Sequence, residues 1–517
     1  VPLSLFLIAW LTGVLVSPGH ISVVDTTQRL QVARWIWAGE DPMVAPYAGE
    51  FGILGVDGRY HPWYGVGQSL VLIPFDIAST FVLSFLPGSL AGKADALHQA
   101  MIALSVFPLL TALCVLVAYR LLRELEFAVY PATAGALSLL FATSLLSYTN
   151  IQQESSLDLL CFLFGAWCFL RWHHNDNRLI LLLGALVLTF SLLTRVTNLL
   201  NYLVLAAMIA ALQWCKAEAS ADQVRAWLSQ MPRFALITGP VVALGILADR
   251  WYQFHRFGSL TSTYIHLYGE KARAADPSLP ETFPFSHDFW MGMGQQLFGF
   301  QKSLFLYELL FTLGVLVLIG SWRHLRLDVR LFSLALLLVS AVLMVFYAPY
   351  VHTYSLNWWG NRFLMVSSVS LAMMALPIYL QVTKPRVVFP PCWLVLALLI
   401  PATANAFVSI LFWGNLEALQ AESGIALAHS PLLMRWMNAA AWLTDNFEAW
   451  GLAPESIGPR SRTPNFLPFL AREDLPSRVI VPLQLAWFAG WGVVIGWVVS
   501  LLVTEKRRFE ASAARSV

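Results

Sequence analysis

Four stretches place ionisable side chains beside long apolar runs, where charge is costly and usually faces a cavity or a partner. Asp25 lies in Ser22-Val-Val-Asp-Thr-Thr-Gln. Its carboxylate suits a helix N-cap or the acid–base work of a catalytic group. Glu154 lies in Asn150-Ile-Gln-Gln-Glu-Ser-Ser-Leu-Asp, with Asp158 one helical turn further on. These carboxylates could face a cavity, cap a helix or pair with Arg195 at the same level. Leu297-Phe-Gly-Phe-Gln-Lys-Ser-Leu-Phe-Leu-Tyr carries Lys302 and Tyr307, and Tyr354-Ser-Leu-Asn-Trp-Trp-Gly-Asn-Arg carries Arg362. Such donors suit a phosphate or pyrophosphate. The same Trp and Tyr residues also suit interface anchors, and Arg362 could snorkel to headgroups.

Other chemistries find little support. His20, His61, His255, His266, His287 and His352 are scattered without zinc-site spacing, and no Gly-rich nucleotide loop occurs. Cys114, Cys161, Cys168, Cys215 and Cys392 lie in or beside apolar runs and read as small hydrophobes.

The elements that must hold these groups are membrane helices. The chain is 58% hydrophobic and 12% charged, with a mean hydropathy of +0.65, whereas soluble domains carry about 25% charge. A net charge of +2 gives no basis for nucleic-acid binding. Apolar runs of spanning character predict an all-α integral membrane protein with about twelve transmembrane helices. They begin with residues 1–16, read as a first span rather than a removed signal. The others are 97–119, 128–147, 155–172, 179–193, 199–214, 234–249, 304–322, 331–347, 363–380, 387–413 and 479–503.

Orientation follows from short basic loops. Arg120 with Arg123, Arg171 with Arg178, and Lys216 with Arg225 and Arg233 fall in one alternate set. Arg323, Arg326 and Arg330, then Lys384 with Arg386, then Lys506 to Arg508 continue it. The positive-inside rule makes that set cytoplasmic, so both ends lie inside and the long polar loops outside. The run 65–86 contains Gly67, Pro74 and Asp76 and would reverse every later loop if it spanned. It is therefore predicted as re-entrant or interfacial. Residues 26–39 are predicted as a juxtamembrane helix, with Leu30, Ala33 and Trp37 on one face and Asp25 as its cap.

The order of these features resembles the GT-C superfamily of polytopic glycosyltransferases, above all bacterial relatives of the protein O-mannosyltransferases and the lipid A aminoarabinose transferases. Asp25 stands in a first outer loop that ends Asp57-Gly-Arg-Tyr-His-Pro-Trp-Tyr-Gly-Val-Gly-Gln-Ser, ahead of Ile73-Pro-Phe. Tyr119-Arg-Leu-Leu-Arg-Glu-Leu, Glu154, Leu192-Leu-Thr-Arg, Gln301-Lys-Ser-Leu-Phe-Leu-Tyr and Asn357-Trp-Trp-Gly-Asn-Arg-Phe follow. The chain departs from that pattern at Thr26, where many relatives carry a second acidic residue beside the first, and after Val387, where no likeness remains.

The resemblance implies a GT-C-like catalytic region over residues 1–412, with a first outer loop at 17–95. An outer region of unassigned role follows at 413–478, then a last span and cytoplasmic tail at 479–517. It implies a bacterial inner-membrane enzyme whose active site faces the periplasm or exterior. Sugar would pass from a polyprenyl-phosphate-linked donor to a lipid, glycan or protein acceptor. Asp25 would act on the acceptor and Glu154 would support it. Lys302 and Arg362 would hold the donor phosphate, and Tyr307 and Arg195 would join them in binding substrate. A divalent cation such as Mg²⁺ or Mn²⁺ is compatible with carboxylate ligands. Two other classes fit the same features: a silent subunit docking a membrane partner through 413–478, and a lipid-linked sugar transporter.

Overall fold

The chain is an all-α membrane protein apart, among the described residues, from one two-stranded ribbon, Ile53–Leu54 with Tyr60–His61. The computed structural model describes residues 1–45, 48, 51–87, 92–216, 221–351, 359–382, 390–413, 416–425, 429–452, 457–472 and 475–515. Asn357, Trp358, Lys384 and Arg386 lie outside the described residues.

Every predicted apolar run contains a helix, but length divides them. Among the described residues, six helices are long and apolar enough to cross a membrane, or seven when Val129–Phe141 and Leu145–Ile151 count as one span bent by 45°. The backbone N–H of Ser144, at that bend, donates to Glu308 Oε1 at 3.0 Å. Pro2–Leu15, Arg178–Leu192, Leu309–His324, Met365–Gln381 and Cys392–Val408 are shorter apolar helices. Hydropathy counts apolar residues, whereas the helices stop at the Pro, Gly and polar positions that bound them.

Small residues let the first helices approach closely, as in membrane bundles generally. A Cβ added to Gly13 would sit 2.7 Å from Pro108 Cα on the Ala94–Glu124 helix. The Val24–Ala38 and Gly67–Leu83 helices pack on that same long helix and on Ser155–Asn175 through Leu30, Ala33, Leu72, Phe107 and Leu157. The run predicted as re-entrant is thus a helix, kinkable at Pro74. Its Asp76 is buried and held by Arg34 (3.3 Å), Trp37 Nε1 (2.7 Å) and His98 (2.8 Å). Its outer side exposes Ile77, Phe81 and Val82.

The late region has a core of its own, built on Phe412, Leu416, Met434, Ala441, Phe447 and Leu452. A buried Arg435–Glu417 ion pair lies under it. Several bonds fasten this region to one end of the bundle. Leu467 N donates to Ser17 O (3.0 Å), Asn465 Nδ2 to Asn150 Oδ1 (2.9 Å), and Asn150 Nδ2 to Asn465 O (3.1 Å).

Candidate functional site

The first loop brings its carboxylate to that same end. Asp25 is not the cap: the Val24–Ala38 helix is capped at Val23 with no side-chain bond, and Asp25 sits in the first turn. There its charge complements the helix N-terminus, and its oxygens are free to meet other side chains. Tyr64 Oη donates to Asp25 Oδ1 at 2.6 Å. Arg362 Nη1 stands 3.7 Å from Asp25 Oδ2, an ion-pair separation too long for a hydrogen bond.

Tyr64 arrives through glycine. A Cβ added to Gly67 would lie 2.5 Å from Thr194 Cγ2 and 2.8 Å from Thr194 N. The loop therefore lies against the Leu193-Thr194-Arg195 segment, and Gly67 N donates to Leu193 O at 2.7 Å. Burial pushes the Tyr64 hydroxyl pKa well above its ordinary value, and the Asp25 charge adds to this. Tyr64 therefore stays protonated and acts only as a donor to the carboxylate.

Behind Asp25 lies a second, deeper layer. Arg29 follows Asp25 by four residues on one helical face. Its Nη1 is 2.9 Å from Glu154 Oε2, and its guanidinium carbon is 4.3 Å from the Tyr64 ring centroid. Arg195 Nε donates to Glu154 Oε1 at 2.9 Å, and Arg195 also lies 3.7 Å from Asp158. Asp158 further accepts from Thr194 and from Asn198 Nδ2 (2.9 Å). Burial raises the Glu154 pKa, but the guanidinium charges of Arg195, Arg29 and Arg362 outweigh it and hold the carboxyl well below the usual range. Both Glu154 oxygens are committed to cations.

Exposure separates the two layers. Asp25 and Arg362 are each 19% exposed at the side chain, whereas Glu154 and Arg29 are each 4%. The first pair is thus the more open to solvent. Phe363 sits between the layers, 5.1 Å from the Arg362 guanidinium carbon and 5.7 Å from that of Arg195. A cavity beneath, lined by Asp158, Arg195, Asn198 and Arg362, has about 20 Å³ of room, enough for about one water.

Lys302 is buried, at 3% exposure. Burial and the Arg362 charge lower its ammonium pKa to about 7. Tyr307 is buried too, but its hydroxyl is spent: it donates to Phe300 O (3.0 Å) and accepts from Leu432 N (3.1 Å). Its ring meets Trp359 at 4.9 Å, three residues before Arg362. Tyr307 thus ties the late region to the Arg362 loop.

Sequence reasoning missed Arg29, Tyr64 and three buried glutamines. Gln28, Gln68 and Gln153 are 0–1% exposed, and their side-chain amides have no hydrogen-bond partner among the described residues. Each adjoins a member of the cluster or its scaffold in sequence: Arg29, Gly67 and Glu154. Buried unpaired amides of this kind call for an explanation, such as a ligand or water. The spacing Asp25-Gln28-Arg29 at i, i+3 and i+4 was the available signal for two of the five.

A divalent cation does not fit this donor set. Glu154 already faces two guanidinium groups and Asp25 a third. Among the described residues, no three His, Cys, Asp or Glu side chains gather as metal ligands.

The fold and this cluster define a polytopic helical membrane protein with a carboxylate–guanidinium site at one end of its bundle. No protein-family model matches the chain, and a sequence search of curated proteins finds no match.

Proposed function

We propose that the chain is a twelve-span glycosyltransferase that moves a sugar from a polyprenyl-phosphate-linked donor to an acceptor hydroxyl on the extracytoplasmic side of a bacterial inner membrane. One observation carries this reading. An accessible carboxylate, Asp25, stands 3.7 Å from an accessible guanidinium, Arg362, at the end of an apolar bundle.

The reaction needs one group of each kind. The acceptor oxygen attacks the anomeric carbon as the bond from that carbon to the phosphate oxygen breaks. Asp25 takes the acceptor proton. The electron pair leaves on the polyprenyl phosphate, where Arg362 and Lys302 stabilise the growing charge. Tyr64 orients Asp25. The Arg29–Glu154–Arg195 layer keeps the first layer in place, so Glu154 is a positioning residue. With about 20 Å³ of room beneath the pair, substrate binding must part Asp25 from Arg362. The closed pairing also favours the alternative of a silent subunit, in which the site never opens.

Donor use should depend on pH through Lys302. Its pKa near 7 lies below the ordinary 10.5, so it is charged below neutrality and neutral above. Phosphate favours the charged form, so donor binding takes up a proton and weakens as pH rises through about 7. Lys302→Arg stays charged throughout. The wild-type donor KM should rise above pH 7, and the variant's should stay flat. Arg362→Lys keeps its charge but loses the planar fork, so its donor KM should rise at every pH. Parallel pH profiles for wild type and Lys302→Arg would remove Lys302 from the donor site.

The topology has its own test. In a background without native Cys, a cysteine at exposed Ser84 should react with an impermeant reagent on intact cells. One at exposed Ser512 should react only after permeabilisation. The reverse pattern would put the site in the cytoplasm.

A further inference from the structure

The late region, 413–478, holds a cavity with no part in the chemistry above. It measures about 670 Å³ and is lined by Trp442, Asp445, Phe469, Arg472 and Gln484 among others. That size lies within the roughly 300–1,000 Å³ of small-molecule sites. Gln484 comes from the last long helix, Ser477–Arg515, so the cavity sits where the late region meets a candidate span. A second cavity, about 320 Å³, is lined by His20, Ser22, Trp413 and Asn465. One side chain, Leu470, stands at the edge of both, and the second cavity reaches Ser22, three residues before Asp25.

The lining selects a class of ligand. Arg462 also borders the larger cavity but is paired with Glu448 at 2.8 Å. Among the described lining residues Arg472 and Asp445 then contribute one charge of each sign, which gives a phosphate or an anionic headgroup no net attraction. Asp445 and Arg472 are exposed and Gln484 Nε2 donates to Pro468 O at 3.4 Å, so the cavity offers an acyl chain a polar, solvated wall. A pyranose has an apolar C–H face and a rim of hydroxyls. Trp442 and Phe469 suit the face, while planar carboxylate, guanidinium and amide groups suit the rim. At the near end, Ser22 Oγ is buried with no hydrogen-bond partner among the described residues.

We propose that the two cavities form one groove seating the sugar chain of a glycan-bearing acceptor and directing its terminal hydroxyl to Asp25. The acceptor role rests on the transferase reading, whereas the glycan occupant does not.

Photo-crosslinking separates the two. The full chain is expressed in bacteria with p-benzoylphenylalanine in place of Trp442, and in a second variant in place of Gln484. Cells are irradiated, and the purified protein is analysed by peptide mass spectrometry. The expected adduct at both positions carries a ladder of hexose or hexosamine masses, in the Asp25→Asn background as well. Adducts of phospholipid mass alone, or no adduct at either position in variants that keep the wild-type melting temperature, would overturn the groove. Should sugar transfer prove independent of Asp25 while the glycan adduct persists, the transferase mechanism falls and the glycan groove stands.

Discussion

Asp25→Asn should lower sugar transfer by about 10²–10⁴-fold while leaving the fold in place. The carboxamide oxygen of Asn can still accept from Tyr64 Oη, which now donates to Asp25 Oδ1 at 2.6 Å. Asn keeps the size of Asp and does not disturb Val23, the residue that caps the helix. Losing the charge weakens one hydrogen bond and one long ion pair at a side chain already 19% exposed. The stability cost is then about 1 kcal/mol. What Asn lacks is a basic oxygen to take the acceptor proton. Turnover measured beside thermal unfolding of the detergent-solubilised protein separates the effects. A fully active Asn variant would remove Asp25 from the chemistry. An inactive variant that also melts far below wild type would make Asp25 structural.

Glu154→Gln should do the opposite. Its carboxylate lies between Arg29 at 2.9 Å and Arg195, with Arg29 and Glu154 each 4% exposed. Neutralising it leaves two guanidinium groups buried against one another. Breaking a buried ion pair in this way costs about 3–5 kcal/mol, so Glu154→Gln should melt well below wild type and lose activity with its fold. The pH dependence carries the same sign. Because the folded carboxyl titrates well below its ordinary range, its stabilisation is present above the unfolded pKa and is lost only as pH falls through the depressed folded value. A Glu154→Gln protein with wild-type melting and abolished transfer would instead make Glu154 a catalytic group.

The helices were legible in the sequence because apolar runs and membrane helices share one cause, the cost of unpaired backbone in lipid. Their lengths were less so: Arg178–Leu192 stops before Thr194-Arg195, where the chain turns toward the site, and Leu309–Ser321 begins only after Glu308. The cap assignment at Asp25 failed because the helix begins two positions earlier than Asp preference suggests. Glu154 with Arg195 was readable, since both flank helix ends at one level. Tyr64, however, reaches Asp25 from 39 residues away, and only packing against Gly67 and Thr194 sets that meeting. The late region gave no pattern at all. Its fastening to Ser17, Asn150 and Tyr307 depends on backbone groups that no side-chain motif encodes.

The most direct measurement uses the purified wild-type chain in liposomes with polyprenyl-phosphate-linked sugars extracted from bacterial membranes. A glycolipid fraction from the same membranes supplies the acceptor, and free polyprenyl phosphate is followed by mass spectrometry. If Asp25 and Arg362 form a transfer site, polyprenyl phosphate should accumulate in step with a sugar-mass increase on the acceptor, and both should fall at least about 100-fold in Asp25→Asn. Donor that stays intact, or is cleaved at the same rate in wild type and Asp25→Asn, would contradict the transferase account.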